Sequence, residues 1–146
     1  MKNITDFLNE SIVNEGLQPK TKDELRRILS DRLDKDKNAD LNDIDVSKIT
    51  DMNSLFNGAD PYDIHIEDWD VSNVTNMGGM FADCKNFNCD LSKWDVSNVK
   101  YMQYMFYACK KFNCNLNHWD VSNVKNMKDM FWKCDSFKNL PSWYKK

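Results

Sequence analysis

Glycine and proline are scarce in this sequence, with four Gly and three Pro among 146 residues. Their scarcity excludes collagen-like chains and flexible linkers. The mean hydropathy is -0.72, and no apolar run approaches the roughly 18 residues that a membrane-spanning helix needs. The formal net charge of -3 lacks the basic excess that is typical of nucleic-acid-binding proteins. The sequence therefore argues against membrane insertion and against a nucleic-acid partner.

The chain has five cysteines, and its first residues lack the apolar core of a secretory signal peptide. An odd number of cysteines without a signal peptide favours free thiols in a reducing compartment. We therefore expect the protein to be made and folded in the cytoplasm. Its length and its 41% of hydrophobic residues favour one globular domain that can bury a core unaided.

An internal repeat of 25 residues dominates the rest of the sequence. The hexapeptide Trp-Asp-Val-Ser-Asn-Val begins at Trp69, Trp94 and Trp119, and a degenerate copy begins at Ile44. Further columns keep the same offset, among them Met52, Met77, Met102 and Met127, and Phe56, Phe81, Phe106 and Phe131. A unit this short cannot close a core by itself, so neighbouring units are expected to bury one together.

Each repeat has two halves with different hydrophobic periods. The first half places apolar residues at the spacing of one helix face, behind a serine suited to be an N-cap. In the copy that begins at Trp69, these residues are Ser72, Val74, Met77, Met80, Phe81 and Cys84. In the second half, Cys89 and Leu91 alternate with polar residues, as in a short strand. The sequence thus predicts an α/β repeat, each unit being a short strand, a turn and a helix of about three turns.

The Trp-Asp-Val-Ser-Asn-Val motif, the Met-x-x-Met-Phe that follows it and the later Cys-x-x-Phe resemble the BspA-like leucine-rich repeats. These are also described as the DUF285 repeat family. The resemblance covers residues 39–143. It implies a short right-handed solenoid of the leucine-rich-repeat kind, with about four 25-residue rungs. It also implies a surface or interaction protein.

Both ends of the repeat region carry signals for caps. Thr21 and Glu24 form a capping box in front of an apolar stripe, which predicts a capping helix over residues 22–35. Near the other end, the repeat loses one residue before Trp143, and Pro141 suits an unpaired edge. We therefore divide the chain into an N-terminal segment at 1–20, a capping helix region at 21–38, and a solenoid with a C-terminal cap at 39–146.

The first ten residues carry a second resemblance. Phe7-Leu8-Asn9-Glu10 resembles the capsid-targeting segment of internal head proteins in large tailed bacteriophages, where the head protease cuts after a Leu/Ile-x-Glu tripeptide. This resemblance implies cleavage after Glu10 and packaging in a virion. The alternative, which the residues themselves favour, is a plain amphipathic helix. Its apolar positions would be Ile4, Phe7, Leu8, Ile12 and Val13.

The repeated polar columns offer weak candidates for chemistry. The Asp column could attract calcium, but the repeats lack Gly- and Asp-rich calcium loops, so a role in the turns is favoured. The Cys columns lack the spacing and the His residues of a zinc site, which favours core thiols. His65 and His118 stand at different repeat positions, and we expect both on the surface. The Asp column consists of Asp45, Asp70, Asp95 and Asp120. The sequence predicts no catalytic, cofactor or metal site and no enzymatic activity.

Positions that differ between repeats are the best candidates for binding. The predicted helix of the copy that begins at Trp94 carries Tyr101, Tyr104 and Tyr107, where neighbouring copies carry Asn, Gly, Ala or Asp. Trp132 follows one repeat after Tyr107, and Tyr and Trp are common interface anchors. The alternative is that these aromatic residues shield the outer layer of helices. A polar face on the predicted strands is a second candidate surface.

The sequence therefore predicts a non-enzymatic protein–protein interaction module without a cofactor, whose partner is a protein. One alternative is a bacteriophage internal head protein that is packaged and delivered to bind a host factor. Another is a cell-surface adhesin, although the absence of a signal peptide argues against that location.

Overall fold

The structure is a computed structural model that describes Ile4 and residues 17–146. Between residues 17 and 146 there is one helix, α1, at Lys22–Lys35. Strand-like pairing in the described residues is limited to isolated parallel bridges, such as those joining Asn76 to Asp51 and to Tyr101. The proposed cleavage after Glu10, like the targeting segment itself, lies outside the described residues.

Helix α1 begins and ends where its sequence predicts. The Thr21 side chain accepts a hydrogen bond from the Glu24 N–H at 3.2 Å, and the Glu24 carboxylate accepts one from the Lys20 N–H at 2.8 Å. The first bond satisfies an N–H group that the first turn of a helix leaves unpaired, and the second ties the residue before the N-cap to that turn. The apolar face then packs on the core through Leu25, Leu29 and Leu33, which are buried. The predicted helix at residues 22–35 is therefore confirmed.

The predicted fold class is wrong. We expected an α/β solenoid of about four strand–turn–helix rungs, but within residues 17–146 α1 is the only helix and no sheet forms. The repeats contain turns and single bridges instead. Below, repeat 1 denotes residues 44–68, repeat 2 residues 69–93, repeat 3 residues 94–118 and repeat 4 residues 119–143.

Successive tight turns replace the predicted helix of each repeat. In repeat 2, the N–H groups of Met80, Cys84 and Phe87 each donate to the carbonyl three residues earlier. The backbone is left-handed at Gly79, with φ of 60°, and at Asp83, with φ of 61°. Left-handed residues cannot belong to a continuous right-handed helix. Turns that advance three or four residues bury the same positions as a helix face, which explains why the hydrophobic spacing indicated a helix.

The N–H groups between these turns bind the next repeat. Gly79 N–H donates to the Gln103 carbonyl at 2.8 Å, and Phe81 N–H donates to the Met105 carbonyl at 2.9 Å. The same pattern joins repeat 1 to repeat 2 and repeat 3 to repeat 4. Most backbone donors in the turn segment therefore have a partner either in their own turn or in the neighbouring repeat, as buried backbone requires.

Aromatic columns fill the core between repeats. The Trp69 and Trp94 rings lie parallel, with centroids 6.5 Å apart. Phe81 stacks between Phe56 at 5.3 Å and Phe106 at 5.6 Å. The indole N–H of each Trp in the column donates to a main-chain carbonyl 27 or 28 residues earlier in the chain, at distances of 2.9–3.0 Å. The predicted core role of the Trp column is therefore confirmed.

The Asp column closes turns. In repeat 3, both the Ser97 N–H and its hydroxyl donate to the Asp95 carboxylate, at 3.0 and 2.6 Å. These bonds lower the pKa of Asp95, the side-chain bond contributing most. The predicted turn role of the column is confirmed. The predicted role of the serines as helix N-caps is wrong, because they donate to the aspartates and no helix follows.

All five cysteines are free thiols buried in the core, as the sequence predicts. In the column that starts at Cys84, each thiol donates to a phenylalanine carbonyl of the preceding repeat. For Cys109 and the Phe81 carbonyl, this distance is 2.9 Å. Burial raises the pKa of Cys84 and of Cys89 to about 12. At neutral pH these thiols are therefore protonated and act as small apolar side chains.

Candidate functional site

The aromatic patch is our name for Tyr101, Tyr104, Tyr107 and Trp132, which lie on the turn segments of repeats 3 and 4. Tyr101, Tyr104 and Trp132 are 39%, 37% and 45% exposed, and Tyr107 is half-buried. The prediction that the tyrosines share a helix is wrong, because their segment is a series of turns. The structure nevertheless places all four residues on the same segment of adjacent repeats.

Three of the four rings contact one another. The Tyr107 ring stacks on the Trp132 ring, with centroids 4.8 Å apart and planes at 19°. Tyr104 meets Tyr107 edge to face, with centroids 5.8 Å apart. The Lys133 ammonium lies 4.3 Å from the centroid of Trp132, within reach of a cation–π interaction. Tyr107 is thus held between the rings of Tyr104 and Trp132.

Tyr104 has an unusual backbone for a bulky residue. Its φ is 58°, in the left-handed region, where an aromatic side chain is rare. The equivalent residues of the other repeats are Ser54, Gly79 and Asp129, also left-handed. Left-handed backbone costs a non-glycine residue about 1–2 kcal/mol, whereas Gly adopts it freely and Asp or Asn tolerates it. Repeat 3 therefore carries Tyr at a position where the fold alone favours a smaller residue.

An open groove of about 360 Å³ adjoins the patch on the side of repeats 1 and 2. We call it the amide groove. Its wall on one side is formed by Tyr104 and Tyr107, which it shares with the patch. It exists because repeat 2 carries small residues where repeat 3 carries large ones. The groove is lined by Asn53, Ser54, Asn57, Gly78, Gly79, Ala82, Gln103, Tyr104 and Tyr107.

Two side-chain amides approach the backbone closely at Gly78. A Cβ atom at this position would lie 2.7 Å from Gln103 Nε2 and 2.8 Å from Asn53 Nδ2. Such distances are shorter than van der Waals contact, so only glycine leaves room for both amides where they stand. Asn76 Oδ1 accepts a hydrogen bond from the Gly78 N–H at 2.9 Å, and Asn53 Nδ2 lies 3.4 Å from the same oxygen.

The Gln103 side-chain oxygen is the exception in this polar network. Gln103 Oε1 is buried and has no hydrogen-bond partner within the described residues. A buried acceptor without a partner destabilises the fold by about 1–3 kcal/mol. This oxygen belongs to a residue that lines the amide groove. The oxygen itself is buried, so it lies behind the surface of the groove.

A second groove, of about 530 Å³, lies on repeat 4 beyond Trp132. Its lining differs in charge from that of the amide groove. Six of its residues are charged, and they are Lys128, Asp129, Lys133, Asp135, Lys145 and Lys146. No charged residue lines the amide groove. The two grooves therefore suit ligands of different chemistry.

The other candidate residues lie on the surface, apart from the patch. His65 is exposed, and its Nδ1 lies 3.1 Å from a Glu67 carboxylate oxygen. This hydrogen bond is the main reason why the pKa of His65 is raised. His118 is also exposed. Asn115, from the predicted polar strand face, accepts a hydrogen bond from the Asn117 N–H at 3.0 Å and so closes a turn.

The described residues form neither a metal-binding cluster nor a membrane-spanning helix. Between residues 17 and 146, no three His, Cys, Asp or Glu side chains group closely enough to hold a metal ion. No helix in the described part of the chain has the length and apolar character to cross a membrane.

Comparison with protein families gives a match over most of the chain. Residues 24–143 match the family described as "Mycoplasma protein of unknown function, DUF285". The chain belongs to the DUF285 family. The match confirms this part of the sequence-based resemblance, whereas the BspA-like and bacteriophage resemblances stay predictions. No curated protein and no solved structure has significant similarity to this DUF285 chain.

Sequence reasoning missed the amide groove of the DUF285 chain. The signal was present, because Gly79 and Ala82 stand in the same repeat columns as Tyr104 and Tyr107. We interpreted those columns only for their large residues. The small residues beside them create the space, and Gln103 becomes notable only once its buried oxygen is located.

Proposed function

We propose that this protein is a non-enzymatic interaction module that binds a protein partner through the aromatic patch. The observation that carries the proposal is the left-handed backbone of Tyr104. Non-glycine residues held in sparsely populated backbone regions occur preferentially at functional sites. Because smaller residues suit this position in the other repeats, we attribute Tyr104 to binding rather than to the fold.

The patch also has the composition of an interface centre. Large aromatic residues supply contact area with few rotatable bonds, so ordering them costs little entropy. Tyr107 is already fixed between Tyr104 and Trp132, which lowers that cost further. A few such residues commonly contribute about 2 kcal/mol or more each to binding.

The alternatives from the sequence concern where the protein acts. A bacteriophage internal protein would present the patch to a host factor, and a surface adhesin would present it to a host protein. Both need the same binding residues as a cytoplasmic module. Substitutions in the aromatic patch should therefore impair binding in all three cases.

The test is the double substitution Tyr104→Asn with Trp132→Ala. We expect it to abolish capture of the partner from a lysate of the native host and to weaken the purified complex at least about 100-fold by calorimetry. The melting temperature should change little, since Asn tolerates left-handed backbone and both side chains are partly exposed.

Tyr62→Ala is the matched control, because Tyr62 is 52% exposed but lies in repeat 1, outside the patch. It should bind the partner as the unmodified protein does. If the double variant binds normally, the patch is not the interface. If it unfolds instead, the aromatic residues are packing groups, and the proposal fails in that way too.

A further inference from the structure

We propose that the amide groove is a binding site for a neutral carbohydrate of one or two sugar rings. This inference goes beyond the protein-binding proposal and holds whether or not the aromatic patch has a protein partner. The groove's volume of about 360 Å³ lies at the lower end of the range for small-molecule sites.

The lining of the groove matches the chemistry of a sugar. The Tyr104 and Tyr107 side chains supply aromatic surface against which the C–H face of a sugar ring can pack. Asn53, Asn57 and Ser54 supply side-chain donors and acceptors for hydroxyl groups. A few polar groups set among apolar surface are typical of small-molecule sites.

The absence of charge selects a neutral ligand. No lining residue of the groove is charged, although 29% of the chain is Asp, Glu, Lys or Arg. A phosphate or carboxylate ligand would find no opposite charge there to offset the loss of its hydration. The groove on repeat 4, with its four lysines, is the better place for such an anion.

The side-chain amide of Gln103 adds a polar contact. Gln103 lines the groove, and its Nε2 is the atom nearest to the Gly78 position. This N–H₂ group can donate to a sugar oxygen. Sites built to hydrogen-bond a polar group of the ligand discriminate strongly against ligands that lack it. Gln103 is therefore the residue that we expect to set specificity within the groove.

The backbone argues for a sugar over an extended peptide. The N–H groups of Ser54, Gly79 and Tyr104 already donate to carbonyls of the next repeat, at 2.8–2.9 Å. An extended peptide normally binds by pairing with free backbone groups at a strand edge. Here recognition must use side chains, and these offer amides and a hydroxyl group.

The experiment is an NMR titration of the ¹⁵N-labelled protein with cellobiose, maltose, lactose and di-N-acetylchitobiose, preceded by an array of neutral and acidic glycans. We expect a neutral glycan to bind at millimolar or lower concentration and to shift the amide signals of Gly78, Gly79 and Gln103. Sialyllactose serves as the charged counterpart of lactose and should bind more weakly.

Two variants test the groove without disturbing the fold. Ala82→Tyr introduces the residue that repeat 3 carries at the same position, so the turn accommodates it, and its ring fills the groove. Gln103→Met keeps the size of the side chain but removes its amide group, including the unpaired oxygen. We expect each to weaken sugar binding by about tenfold or more, while stability is unchanged or, for Gln103→Met, slightly higher.

Tyr101→Ala is the matched control, because Tyr101 is an exposed residue of the patch that does not line the groove. It should leave sugar binding intact while it impairs binding of a protein partner, which separates the two proposals. The carbohydrate proposal is overturned if no neutral glycan on the array binds, if an acidic glycan is preferred, or if binding survives Ala82→Tyr. It is also overturned if a pool of uncharged peptides shifts the groove signals and no sugar does.

Discussion

The two ends of the repeat region bury their core to different degrees. At the N-terminal end, helix α1 covers repeat 1, and Val46 and Ile49 are only 1% and 2% exposed. At the other end of the described chain, the equivalent Val121 and Val124 of repeat 4 are only partly buried. Trp143 and Tyr144 continue the core there but do not close it.

The difference shows how much apolar surface a helix can cover at the end of a repeat region that is built from turns. Helix α1 brings three leucines to one face, all at most 3% exposed. Trp143 extends the Trp column, with its ring 6.4 Å from that of Trp119, and so protects one part of repeat 4 only. We therefore expect stability to fall from repeat 1 towards repeat 4, since local unfolding follows the density of buried contacts.

The largest effect should come from the Trp column. Trp94→Ala removes a buried ring and its hydrogen bond to the Ile66 carbonyl, and we expect it to lower the free energy of unfolding by about 3–5 kcal/mol. Trp143→Ala at the less buried end should lower it by about 1–2 kcal/mol. Urea unfolding followed by circular dichroism measures both. Equal losses would show that repeat 4 is as well packed as the interior.

The two ends of the repeat region can also be compared by smaller substitutions. Leu29→Ala should lower the free energy of unfolding by about 2–4 kcal/mol, because it opens a cavity between α1 and repeat 1. Val124→Ala should cost about 1 kcal/mol or less. Val99→Ala is the control, since Val99 occupies the same column but is fully buried, and about 2 kcal/mol is expected there. A Val124 loss as large as that of Val99 would contradict the open end.

Thiol labelling gives the finest comparison. Cys109 is fully buried, whereas Cys134 in repeat 4 is 8% exposed. Burial raises the pKa of Cys134 to about 12, so alkylation at pH 7 requires local opening to expose the reactive thiolate. We expect Cys134 to react about tenfold faster than Cys109, as measured by mass spectrometry of the alkylated peptides. In denaturant all five cysteines should react alike. Equal rates in the native protein would mean that it opens only as a whole.

The sequence predicted the buried residues better than the backbone that buries them. Met77, Phe81 and Cys84 are buried as expected, but on tight turns rather than on a helix. Helices and three-residue turns place apolar residues at similar intervals, so spacing alone could not separate them. The left-handed positions could not be recognised from the sequence. Such backbone usually carries Gly or Asn, but here two of the positions are occupied by Tyr104 and Lys133. Helix α1, by contrast, carries a capping box and was predictable.

The candidate site was predictable in part for a related reason. Comparing repeats identifies residues that the common fold does not need, and this found Tyr104 and Trp132. It does not show the space between side chains of different repeats, because that depends on how closely the repeats pack. The contact of Gln103 with Gly78 joins two repeats and could be found only from coordinates.

The constant offset of the contacts between repeats limits how such a protein can change in length. Trp69, Trp94 and Trp119 each donate to a carbonyl 28 residues earlier. An insertion of one residue within an inner repeat would disrupt the Trp and Cys contacts with earlier repeats at once. Only Trp143, which spans 27 residues, shows that a deletion was accepted, and it lies at the less buried end. Evolution can therefore lengthen the interior only by duplicating whole 25-residue units, and single-residue insertions or deletions are tolerated only near its margin.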